Sequence, residues 1–181
     1  MRSDITPGAT FPDYELPDHT RTPRRLSELQ GDDPLILTLA RGHYCPKEHQ
    51  QHLELVAAYP KIAVAYTQIV TISTDEHHAS QEFRASVGAP WPFLSDPGRI
   101  VQQDLEIQEY TDPDNDPMIP HTLVLKPGPG SRPSTNCASG IVDVFDVTIV
   151  SAPRWRSIVA YRSRFTARSS NTASITQSAV V

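Results

Sequence analysis

Three short, almost unbroken apolar runs, 35–40, 69–73 and 119–125, set the rhythm of the first 127 residues. Runs of that length without alternation predict strands covered on both faces of a sheet. Between them the spacing becomes helical. After Pro46, Lys-Glu-His-Gln-Gln-His-Leu-Glu-Leu-Val-Ala-Ala-Tyr places Leu53, Val56 and Ala57 at i, i+3 and i+4, which predicts a helix with a core-facing stripe. Pro60 lacks the N–H that the next turn needs, so it predicts a kink or an end, and 61–66 either resumes the helix or passes as a loop. A second helix is expected from Asp75 to Ser86, capped by Thr74, with Ala79, Phe83 and Val87 along one face. Gly88-Ala89-Pro90-Trp91-Pro92 stops it, and Phe93-Leu94 reads as a short extended piece. Ser95-Asp96-Pro97 has the cap-then-proline order that opens a helix, here carrying Ile100, Val101 and Leu105. Phe83, Trp91 and Phe93 are assigned to the core.

Residues 1–33 are rich in Pro, Asp and Arg, with isolated apolar positions at Phe11, Tyr14, Leu16, Leu26 and Leu29. The turn chemistry of Pro17-Asp18-His19-Thr20-Arg21-Thr22-Pro23 predicts an N-terminal hairpin, closed by a helical turn at Ser27-Glu28-Leu29. Strands alternating with helices make the fold class α/β, a central sheet with helices on both sides. Glu109 to Met118 is an acidic loop. After Pro127 the composition breaks: all but two of the 21 acidic residues lie before it, whereas six of the 16 basic ones lie after it. The stretch 128–181 has no Leu, Lys or Glu and is expected to be an atypical, partly disordered Ser/Arg-rich tail on a 1–127 domain. Ile141 to Val150 alternates as a strand does, and Ser157 to Phe165 is a second candidate.

A net charge of −5 gives no basis for binding nucleic acid or an anionic membrane surface. No apolar run is long enough to span a bilayer, and the N-terminus lacks a signal-peptide core, so a cytoplasmic protein is expected. Two cysteines, Cys45 and Cys137, are too few for a secreted disulfide framework. In a reducing compartment, such thiols are either catalytic or inert.

The candidate chemistry lies in Arg41-Gly42-His43-Tyr44-Cys45-Pro46, where the first core strand turns into the first long helix. Pro46 suits the first helical position and leaves Cys45 at the cap. Unpaired N–H groups and the helix dipole there favour a thiolate, which is the nucleophilic form. Amides of Lys47 and Glu48, with Arg41, are placed to stabilise that thiolate. Glu48 admits two readings: a like charge that raises the thiol pKa, or the capping-box partner at the third helical position. The histidines supply a rival. Cys45, His49 and His52 share one helical face, with His43 and His121 nearby, as zinc or copper ligands would, although the spacing has no familiar signature. Asp112-x-Asp114-x-Asp116 has calcium-loop spacing, but Pro117 and Leu123 occupy the positions that need Gly and Glu.

Taken in order, Arg-Gly-x-x-Cys-Pro, Ile-Val-Thr-Ile-Ser-Thr-Asp, Pro-Phe-Leu-Ser-Asp-Pro and Ile-Pro-x-Thr-Leu-Val-Leu over about residues 7–127 resemble the peroxiredoxin-like redoxins. This is the alkyl hydroperoxide reductase/thiol-specific antioxidant group. The resemblance implies a thioredoxin-like fold with a mixed sheet, no cofactor, and Cys45 as peroxidatic cysteine, with Pro120 as the cis-proline facing it. It also implies a hydroperoxide or disulfide substrate, an external thiol reductant such as glutathione or a thioredoxin-type protein, and a homodimer. The family pattern Pro-x-x-x-Thr-x-x-Cys is broken here by Thr38 and Gly42. The usual late arginine has no match at Met118 or Ile119, and Glu48 stands where a second cysteine often follows, so the alternative expectation is a catalytically weak redoxin-fold module that binds partners or senses thiols. Cys137 is the remaining candidate for a resolving cysteine. The ending after Gly128 lacks the family's final helix and reads as foreign to the rest of the chain.

Overall fold

The computed structural model describes residues 1–127 and the strand 142–146. The expectations for Cys137, for a strand at 157–165 and for a disordered tail lie outside these residues. At the centre runs β4 (Leu35–Ala40), buried along its whole length as its apolar sequence requires. Parallel to it lies β5 (Gln68–Ser73), and antiparallel to it lies β7 (His121–Pro127). On one side β6 (Phe93–Ser95) adds in parallel. On the other, β8 (Val142–Asp146) and β1 (Thr10–Phe11) add antiparallel, giving the order β1-β8-β7-β4-β5-β6. The alternating stretch 141–150 therefore supplies a sheet strand over its first half. The expected hairpin is β2 (Glu15–Pro17) with β3 (Pro23–Arg25), followed by the short α1 (Leu26–Gln30).

The first long helix, α2 (Pro46–Val64), runs straight through Pro60. Pro60 itself is exposed, while Ala58 and Ile62 on either side of it are buried, and this burial outweighs the missing hydrogen bond. The helix also sits rotated from the expected stripe. Its buried face is Glu48, His52, Leu55, Ala58 and Ile62, whereas Leu53 is 40% exposed. Two polar residues on the inner face concealed the period.

The next helix, α3 (His77–Val87), starts after Glu76 and not at Thr74, because the Asp75 carboxylate is committed to the 42–45 turn described below. Phe83 and Val87 face inward as expected, and Trp91 and Phe93 join Phe83 in the core. The short α4 (Ile100–Asp104) begins later than Pro97, after Arg99 in a left-handed conformation. Asp96 nevertheless caps it, accepting from the amides of Ile100 at 2.8 Å and Val101 at 2.9 Å. Ile100 points outward.

No peptide bond among the described residues is cis, so Pro120 is not the cis-proline that the resemblance implied. The trans form is the lower-energy one for X–Pro by about 0.5–1 kcal/mol. Ile119 is tied down on both sides of its peptide unit, its N–H donating to the Ile107 carbonyl at 2.6 Å and its carbonyl accepting from His121 Nδ1 at 2.7 Å.

Candidate active site

Where β4 ends, the backbone must reverse within four residues to start α2. Gly42 makes this possible with φ of 130°, and the Cys45 N–H closes the turn on the Gly42 carbonyl at 3.2 Å, leaving His43 and Tyr44 as its central pair. Cys45 then occupies the N-cap with extended φ and ψ, and Pro46 is the first helical residue. The Cys45 carbonyl accepts the first intrahelical bond from His49 at 3.1 Å. Cys45 is a free thiol and 7% exposed. The first-turn amides have no intrahelical acceptors and carry the positive end of the helix dipole.

Glu48 departs from both readings made for it. The Cys45 N–H is used by Gly42, so there is no capping box at this helix start. The Glu48 carboxyl is instead 3% exposed, and its Oε2 has no partner among the described residues. Burial pushes its pKa up to about 7, and the Arg41 backbone N–H and guanidinium offset this only in part. Burial thus favours the neutral form of this carboxyl and weakens the like charge expected at the helix start.

Arg41 belongs to a second layer of contacts. Its Nη2 lies 3.1 Å from Glu109 and 3.5 Å from Asp112, while its buried Nε has no partner among the described residues. Tyr44 donates its hydroxyl to Asp112 at 3.1 Å, and burial followed by that bond pushes its pKa up to about 12. The acidic loop therefore clamps the turn from one side. Asp75, at the end of β5, holds it from the other. Its Oδ2 accepts the His43 backbone N–H at 2.8 Å and the Ser73 hydroxyl at 3.0 Å, and its Oδ1 lies 2.8 Å from His43 Nδ1. A Cβ on Gly42 would stand 2.7 Å from Asp75 Oδ1, so the carboxylate fills the space that any side chain at 42 would need. Neither loop contact was readable from sequence. Asp75 is 32 residues from His43 and Asp112 is 68 from Tyr44, and nothing in local spacing links them.

The proposed metal set is not assembled. His52 is fully buried, with Nδ1 2.8 Å from the Glu48 carbonyl and Nε2 3.1 Å from Thr71 Oγ1. Trp91 Nε1 donates to the same Thr71 oxygen at 3.0 Å, so the Thr71 hydroxyl donates to His52 Nε2 and the Nδ1–H donates to the carbonyl. Both ring nitrogens are used, and Phe83, Trp91 and Phe93 enclose the ring. Burial pulls its pKa down to about 4. His49 stacks on Phe83 and bonds Ser86 at 3.2 Å. Among the described residues no group of three or more potential ligands is disposed to hold a metal ion.

A helix that opens on a cysteine, directly after the central strand of a mixed sheet, defines the class: a redoxin of thioredoxin-like fold. The chain belongs to the AhpC/TSA family, whose model matches residues 7–128. It is 36% identical over 92 residues to a putative peroxiredoxin of Mycobacterium tuberculosis, which covers 49% of this chain and 58% of that protein. It is 28% identical over 102 residues to peroxiredoxin bcp1 of Schizosaccharomyces pombe, covering 56% and 52%. The chain thus spans little more than half the length of the curated relatives it matches. In three dimensions it is similar to peroxidoxin BcpB of Mycobacterium tuberculosis, at TM-score 0.67 and 24% identity over 89% of this chain and 97% of the other. A mutant PrxQ of Xylella fastidiosa matches at TM-score 0.67 and 18% identity over 92% and 99%. These likenesses confirm the fold expected from the resemblance.

Proposed function

We propose that this chain is a thiol peroxidase that reduces hydroperoxides through Cys45. The observation that carries the reading is Cys45 at the N-cap of α2, the end of the helix where first-turn amides lack intrahelical acceptors, in a chain of the AhpC/TSA family. The thiolate attacks one peroxide oxygen, an S–O bond forms as the O–O bond breaks, and the leaving alkoxide or hydroxide takes up a proton. Cys45 becomes a sulfenic acid. An external thiol attacks that sulfur, releasing water and leaving a mixed disulfide, and a second thiol frees Cys45 as a disulfide departs. Glutathione or a thioredoxin-type protein has the required chemistry. The setting we propose is the cytoplasm, with a homodimer as the working state; no helix among the described residues is long and apolar enough to cross a membrane.

Peroxide consumption with each reductant, for wild type and Cys45→Ser, tests this. The variant is expected to lose all turnover, and wild type is expected to form a dimedone adduct at Cys45. Equal consumption by the two proteins overturns the proposal.

A further inference from the structure

His43 and Asp75 form a fixed pair in the turn that leads into Cys45, and thiolate attack on a peroxide by itself gives that pair no task. Asp75 is buried and presents only acceptor oxygens, so the contact at 2.8 Å defines His43 Nδ1 as the protonated nitrogen. The second bond, from the His43 backbone N–H to the other carboxylate oxygen, fixes the ring's base as well as its edge. Ser73 completes the carboxylate's shell. The imidazole is left with Nε2 unbonded to any described residue, on a side chain that is half exposed, two residues from Cys45 in a closed turn. An acid–base imidazole is held in the same way, one nitrogen oriented by a carboxylate and the other left free to exchange a proton. Gly42 belongs to the same device, since a side chain there would displace the carboxylate.

We propose that His43 is the acid–base residue of the Cys45 site and Asp75 its positioning residue. The inference rests on the peroxidase reading of Cys45. Nε2 accepts the thiol proton, giving thiolate and imidazolium. The thiolate takes one oxygen of the hydroperoxide, the S–O bond forms, and the O–O electron pair leaves on the other oxygen. That oxygen takes the proton back from Nε2–H. Sulfur is oxidised by two electrons to the sulfenic acid, the peroxide is reduced to alcohol or water, and His43 ends neutral.

The other charged or titratable groups around the turn include Arg41 just after β4, Tyr44 in the turn itself, Lys47 and Glu48 on α2, and Glu109 and Asp112 on the acidic loop. A single pH profile therefore does not isolate His43, and variants must be compared. The test uses His43→Gln, Asp75→Asn and His43→Ala in the full chain, with two readouts. The first is peroxide-driven formation of the Cys45 sulfenic acid. The second is alkylation of Cys45 by iodoacetamide against pH, read on the Cys45 peptide by mass spectrometry. His43→Gln is expected to slow sulfenic acid formation by about 10²-fold or more. It should also move the alkylation profile to higher pH. Asp75→Asn should do the same more weakly, and free imidazole should restore part of the rate in His43→Ala. A His43→Gln protein with wild-type alkylation and a peroxide rate within about twofold of wild type overturns the proposal. The two readings fail separately. A wild type that forms no sulfenic acid sinks the peroxidase reading, while the alkylation comparison still decides whether His43 governs the thiol.

Discussion

Glu48→Gln should stabilise this protein, and by an amount that depends on pH. Two buried groups one helical turn apart titrate in opposite senses. Glu48 goes from an ordinary 4.5 up to about 7, and His52 from 6.5 down to about 4. Each shift is worth about 3 kcal/mol at roughly 1.4 kcal/mol per pH unit. For Glu48 the folded pKa is raised, so its contribution is fully present below about 4.5 and is lost as pH rises toward 7. For His52 the folded pKa is lowered, so its contribution is present above about 6.5 and is lost as pH falls toward 4. Between pH 4.5 and 6.5 the two slopes oppose, and the wild-type profile is nearly flat as far as these groups go. Glutamine keeps the shape of the protonated acid and removes its titration. The difference in unfolding free energy between Glu48→Gln and wild type should therefore grow by about 3 kcal/mol from pH 4.5 to 7, and the variant alone should show the His52 slope. Urea unfolding at intervals of half a pH unit measures this, with a midpoint shift on the order of 1–3 M at the top of the range. Every other titrating group is common to both proteins and cancels in the difference. A difference that stays constant over this range would refute the argument.

Gly42→Ala combines strain at φ of 130° with a methyl group 2.7 Å from Asp75 Oδ1. It should cost about 1–3 kcal/mol in urea unfolding and release the His43 ring, seen as loss of the hydrogen-bonded Nδ1 proton in NMR. Pro60→Ala should do the reverse for stability, supplying an N–H to the middle of α2 at an exposed position, and should add about 1–3 kcal/mol by thermal or chemical unfolding.

The strands and the helix start were readable because they are local. An unbroken apolar run predicts a central strand wherever it occurs, and Cys45-Pro46 marks a cap through the geometry of proline alone. The inner face of α2 was misread for a physical reason. Glu48 and His52 lie on it, and His52 is buried there because the Glu48 carbonyl one turn back and the Thr71 hydroxyl on β5, itself held by Trp91, satisfy both ring nitrogens. The start of α3 shows the same limit. Asp75 looks like a first-turn acid, yet its carboxylate is taken by His43 and Ser73. Pro60 was overruled by the burial of Ala58 and Ile62, which no propensity scale contains. The Cys45 cap was thus visible in one segment, but the side chains that equip it come from three.

The sheet's two outermost strands among the described residues are β1, two residues long, and β6, three. A neighbouring molecule approaching either rim finds an outer strand of only two or three residues to pair with, while the long apolar β4 is flanked on both sides by β5 and β7. Much of that insulation comes from residues 10–11 lying along β8, so trimming the N-terminus is the cut that would bare a longer rim.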